Sequence, residues 1–112
     1  MAKLTVTCLS FKPLRKNTLR GFADIRIAEM RLNIRDVAVH QKGAGRWAQL
    51  PARPMIDKDG VVIRDRVSGK IQYANLFDFD TSEVRDAFSR AVIAAVVALV
   101  PEAFDEPSEV AT

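Results

Sequence analysis

The chain has 112 residues, 48% of them hydrophobic and 28% charged, with a formal net charge of +3. That length holds one hydrophobic core but not two, and the balance excludes disordered, collagen-like and disulfide-scaffold chains. The lone cysteine, Cys8, leaves no internal disulfide to form and points to a reducing, cytoplasmic setting.

The most apolar window, residues 91–100, is too short for a membrane-spanning helix, which needs about 20 residues. No export signal is visible either, so no membrane partner is expected. Charge is segregated along the chain. Residues 1–70 carry fifteen Lys and Arg against six Asp and Glu, whereas residues 71–112 carry two against eight. A basic face concentrates polyanions, although a solvated face laced with ion pairs explains such asymmetry about as well.

In residues 3–11, Leu4, Val6 and Cys8 alternate with Thr5, Thr7 and Leu9, the period of a strand. Pro13 ends it, and residues 14–20 read as a connecting loop. Residues 22–27 and 30–34 form two paired strands if the turn falls at Ala28 and Glu29. Ile27 then faces Met30, Ile25 faces Leu32 and Ala23 faces Ile34, all on one apolar side. The opposite side presents Arg26 beside Arg31, Asp24 beside Asn33 and Phe22 beside Arg35. Ala-Glu is a poor two-residue turn, so a longer loop with a shifted register stays open.

Asp36 then occupies a position expected to be apolar, while Val37 and Val39 follow the other parity. A β-bulge near Arg35 and Asp36 restores the inward face, with Asp36 expected to accept backbone or arginine hydrogen bonds. Residues 42–46, with Gly43 and Gly45, read as a turn before a short strand around residues 47–50. Pro51 and Pro54 bracket Arg53 and hold that segment extended. The turns Asp57-Lys58-Asp59-Gly60 and Ser68-Gly69-Lys70 make the middle of the chain a hairpin-like excursion, which returns through a strand over residues 71–77.

The helix begins at Thr81, with Asp80 as cap and Glu83 reciprocating. Val84, Phe88, Ala91, Val92, Ala95 and Leu99 make its core stripe, and Ile93, Val96, Val97 and Val100 widen it until Pro101 stops the helix. Residues 91–100 contain no polar side chain, and a single sheet covers only one helix face, so a second subunit is expected on the other. The expected fold is α+β: an antiparallel sheet of about four to six strands with one C-terminal helix packed on it, in a homodimer. The domain spans residues 1–101, and residues 102–112 form an acidic tail.

Enzyme signals are sparse. His40 and Cys8 are each single, and Cys8 sits mid-strand as a small buried hydrophobe. The Asp57–Gly60 turn lacks the remaining ligands of a calcium loop, and no Gly-Lys-Ser/Thr follows Gly43-Ala44-Gly45. No catalysis, metal, cofactor or small-molecule substrate is expected.

The run Arg20-Gly-Phe-Ala-Asp-Ile-Arg-Ile, then Leu32-Asn-Ile-Arg-Asp-Val-Ala-Val, Trp47-Ala-Gln-Leu-Pro-Ala-Arg, Asp59-Gly60 and the strand-into-helix stretch 71–97 resembles the SpoVG (stage V sporulation protein G, septation regulator) family in order and spacing. The resemblance covers residues 3–97 and rests most on Ile34-x-Asp36-Val37-x-Val39 and Leu50-Pro51-Ala52-Arg53. It implies a small dimeric α+β regulator that binds DNA, RNA or both. Ala52 stands where the family usually carries serine and Pro54 where it carries a second base, and the excursion is longer.

The candidate phosphate contacts are Arg26, Arg31 and Arg35 on the open sheet face and Arg53, Lys58, Arg64, Arg66 and Lys70 on the excursion, with Trp47 or Tyr73 available to stack on an unpaired base. The alternative is a non-catalytic scaffold dimer in which the same cations form a solvated face.

Overall fold

Period-two alternation in the first half of the chain gives a four-stranded antiparallel sheet in the order β1-β2-β3-β4, from β1 (Val6–Lys16), β2 (Leu19–Ile27), β3 (Leu32–Lys42) and β4 (Gly45–Gln49). A separate ladder joins β5 (Ala52–Pro54) to β6 (Tyr73–Asn75), and α1 (Ser82–Leu99) follows. The computed structural model describes residues 4–105. Lys3, the expected start of the first strand, and residues 106–112 of the expected tail lie outside the described residues.

The first strand is longer than its proline suggests. β1 runs through Pro13 to Lys16 because it is an edge strand, where a missing amide donor leaves no ladder bond unmade. The expected loop over residues 14–20 shrinks to Asn17 and Thr18, with Lys16 opposite Leu19 and Asn17 at φ 55. Asparagine is among the residues that tolerate this left-handed conformation. Gly21 faces Pro13, and a β-carbon there would sit 2.5 Å from both the Lys12 carbonyl oxygen and the Phe11 ring, so only glycine fits under that ring.

The β2–β3 register also differs from the two-residue-turn expectation. A 3₁₀ turn over Ala28–Met30 and a left-handed Arg31 (φ 51) lengthen the connection, so Ile27 faces Leu32 and Ile25 faces Ile34. The expected bulge is present. Ala23 faces Val37, leaving Asp24 opposite both Arg35 and Asp36, and Asp36 takes φ 58. One extra residue thus returns Val37 and Val39 to the inner face, where both are fully buried.

Helix α1 packs across that face against β1 and β4. Its cap is Thr81, one residue beyond the expected Asp80: the Thr81 hydroxyl accepts the Val84 amide at 3.2 Å. Val92 and Val96 are fully buried against Ala23, Ile25, Val37 and Val39, and burial of side chains this size contributes about 1.5–3 kcal/mol each. Leu99, assigned to the core stripe, shares the face of Val92 and Val96 but is the last residue of the helix and is 47% exposed.

Beyond Pro101 the chain folds back. Ala103 and Phe104 are buried, the Arg46 guanidinium lies 4.4 Å from the Phe104 ring centroid, and an Arg15 guanidinium nitrogen donates to the Asp105 carbonyl. Ala103 and Phe104 therefore belong to the core rather than to a tail. Both sheet edges are guarded: β1 carries Lys12, Pro13, Arg15 and Lys16, and on β4 the Ala48 amide donates to Ser89 Oγ at 2.8 Å.

The excursion is more elaborate than one hairpin. Past the β5–β6 stem, one hairpin closes with an Ile56–Val62 bridge around Asp57–Gly60 and a second with an Arg64–Ile71 bridge around Asp65–Gly69. At their junction the Met55 amide donates to Gln72, the Ile63 amide to Met55 and the Gln72 amide to Ile63, at 2.8, 2.9 and 3.0 Å. Three backbone segments close a ring of hydrogen bonds, a three-way junction that carries two short arms.

Candidate nucleic-acid interface

On β2 the inward Ala23, Ile25 and Ile27 alternate with Phe22, Asp24 and Arg26, so the latter share the face of the sheet away from the helix. Lys12 lies opposite Phe22, Arg26 opposite Asn33, and Ala38 and His40 opposite Gln49 and Trp47. This outer face is polar and cationic at the β1–β3 end and aromatic at the β4 end.

Asp24 organises the cationic end. Its carboxylate accepts the Asp36 amide at 3.1 Å, the Ser10 hydroxyl at 3.2 Å and the Arg35 guanidinium at 3.3 Å, linking β1, β2 and β3. The Asp36 amide above all, then Ser10, Arg35 and Lys12, hold its carboxyl below the usual carboxylate range against the opposing cost of desolvation. The expected roles at the bulge are therefore exchanged: Asp36 is the backbone donor and Asp24 the acceptor.

The eight candidate cations do not form one cluster. Arg26 and Arg35 share the outer face, with Arg26 donating to Asn33 Oδ1 at 3.3 Å. Arg31 has left the paired strands for the connection, where its left-handed backbone ends the 3₁₀ turn. Arg53 faces Ala74 on the stem, on the opposite side from Ala52 and Asn75. Lys58 stands on the first hairpin, while Arg64, Arg66 and Lys70 belong to the second, where Arg64 donates to the Gly69 carbonyl at 3.0 Å.

Asp57 and Asp65, one acid in each hairpin, are committed to their own turns. Asp57 Oδ1 accepts the Asp59 and Val61 amides, and Asp65 Oδ1 accepts the Val67 and Ser68 amides. The Ser68 and Val67 amides lower the Asp65 pKa. Among the described residues, Arg35 is the only one of the eight cations with a carboxylate partner.

The aromatic end joins Trp47, a stacking candidate from the sequence, to His40, which sequence reasoning did not assign to a site. His40 and Trp47 stack with ring centroids 5.3 Å apart and planes 6° apart. His40 Nδ1 shares a 3.0 Å hydrogen bond with the Thr18 hydroxyl, whereas its Nε2 is buried without a partner. Burial lowers the His40 pKa, and Arg20 adds to the effect. The nearby Gln49 amide opposes it without making a sound hydrogen bond to the ring.

Beside His40 a cavity of about 550 Å³ opens between the outer face and the stem, lined by Phe22, Ala38, Gln49, Tyr73 and Asn75 among others. Phe22 and Tyr73 were its sequence signals, and the stem residues that complete it lie far along the chain.

Among the described residues, no helix is long and apolar enough to cross a membrane, and no group of three metal-ligating side chains occurs. Comparisons with protein-family models, with curated proteins and with solved structures find no match to this chain.

Proposed function

We propose that the protein is a nucleic-acid-binding regulator that acts as a homodimer and contacts phosphates of DNA, RNA or both through its outer sheet face and two hairpin arms. The observation that carries this reading is the uneven use of charge. Asp24, Asp57 and Asp65 serve the bulge and the two turns, while seven of the eight candidate cations have no carboxylate partner among the described residues. Exposed cations held on short hairpins suit a phosphate backbone, which is recognised by charge rather than by shape. The resemblance to the SpoVG family supports the same reading.

A second subunit is supported by the outer side of α1, where Ile93, Ala94, Val97 and Ala98 form an apolar hollow between Arg46 and Arg90. Ala94 and Ala98 are exposed there, which suits a small interface between helices.

Binding to mixed-sequence DNA and RNA across a salt series tests the reading. The logarithm of the binding constant should fall linearly with the logarithm of salt, by about 0.9 per phosphate contact on duplex DNA and about 0.7 on single strands. Arg53→Ala or Arg66→Ala should flatten the slope by about one unit, whereas Arg85→Ala, paired with Asp86 at 3.2 Å, should leave it unchanged. Absence of salt-sensitive binding near about 50 mM salt would leave the scaffold dimer as the better reading.

A further inference from the structure

We infer that the cavity between the outer sheet face and the stem receives one unpaired nucleobase of a bound strand. This deepens the proposed nucleic-acid binding and rests on it. The volume of about 550 Å³ falls within the ~300–1,000 Å³ typical of small-ligand sites, large enough for a base with part of its sugar.

The lining has the chemistry of a base-binding slot. Phe22, His40 and Tyr73 supply aromatic surface from β2, β3 and β6, and Tyr73 is 58% exposed, available to cover a ring. Gln49 and Asn75 each offer a carboxamide donor and acceptor, the mixed pattern found along the edge of every base. His40 contributes its ring, whose Nε2 is turned away from solvent beside Gln49. Trp47 stacks on His40, which keeps the imidazole plane fixed. Ala38 leaves the floor open, since any larger side chain on that face of β3 would project into the slot.

A base in a duplex is already stacked on both faces and paired along its Watson–Crick edge, so this slot selects single strands. Arg20 beside His40, with Lys12 and Arg35 on the same sheet, would draw the flanking phosphates.

The test compares three probes at low salt: a short oligothymidylate, a fully abasic strand with the same number of phosphates, and thymidine monophosphate. Trp47, the only tryptophan, reports on the slot through its emission. Oligothymidylate should bind at least about fivefold tighter than the abasic strand and change Trp47 emission. Tyr73→Ala and Ala38→Leu should each erase that preference while retaining the wild-type salt slope and unfolding midpoint. Equal binding of base-bearing and abasic strands would overturn the slot and leave phosphate binding standing. No binding of either strand would overturn the nucleic-acid reading itself. Saturation of Trp47 emission by the monophosphate as tightly as by the oligomer would identify a free-nucleotide pocket and overturn the strand-borne assignment.

Discussion

The amide of Asp36 donates to a carboxylate oxygen of Asp24 at 3.1 Å, so the acid that fixes the β3 bulge lies on the neighbouring strand. Asp24→Ala removes acceptors for the Asp36 amide, Ser10 and Arg35 together and should cost ~1–3 kcal/mol in chemical denaturation. Asp36→Gly should be at least as stable as wild type, because glycine occupies φ 58 without steric cost. Equal destabilisation by both would contradict this division of roles. The folded Asp24 pKa is lowered, so its stabilisation is present above the unfolded value of ~3.9 and is lost as pH falls through the lower folded value. Asp24→Asn should therefore flatten the acid limb of the stability profile.

Gly21→Ala should destabilise the fold by ~1–3 kcal/mol, since the new methyl meets backbone at Lys12 as well as the Phe11 ring. Pairing it with Phe11→Ala relieves only the ring clash, so the double variant should recover part of the thermal midpoint shift relative to the sum of the single changes. Full additivity would show that the ring does not press on Gly21.

His40 gives a second pH dependence of opposite chemistry and the same sign. Burial lowers its folded pKa, so as pH falls through ~6.5 the unfolded chain takes up the proton first. The stabilisation is complete above that value and declines toward the folded pKa. Unfolding midpoints should drop between pH ~7.5 and ~5.5 in wild type and less so in His40→Gln. A profile unchanged by the substitution would place the titration elsewhere.

Ala94→Glu puts a charge into the apolar hollow of α1 at an exposed position, where the monomer fold loses nothing. Light scattering should find a dimer for wild type and a monomer for the variant, with unchanged circular dichroism. A monomer in both would remove the proposed interface.

The α+β class, the helix and the bulge were legible because each leaves a local pattern: alternation, an apolar periodic run stopped by Pro101, and a parity break at Asp36. The β2–β3 register was not. It is set by Arg31 in a left-handed conformation, and arginine does not advertise one. Pro13 read as a stop because sequence does not say which strand lies at an edge. Phe104 was read as tail because its anchor, Arg46, is distant in the chain. The individual cations were visible from composition, but their dispersal over a sheet, a stem and two hairpins was not. The cavity was hidden for the same reason: its walls meet only when the stem folds beside β3 and β4.

The ring of hydrogen bonds among Met55, Ile63 and Gln72 separates two design problems within one chain. Everything beyond it is anchored by backbone rather than by the side chains of the helix-covered core. Residues can therefore be exchanged, added or removed at either hairpin tip with little effect on how the rest of the protein folds. Loop-closure entropy grows only slowly with length, by about 0.6 kcal/mol per doubling, so such changes are thermodynamically mild. The reach and charge of the two arms can thus be retuned independently of each other and of the body, which makes the junction a natural graft site for altering what this scaffold grips.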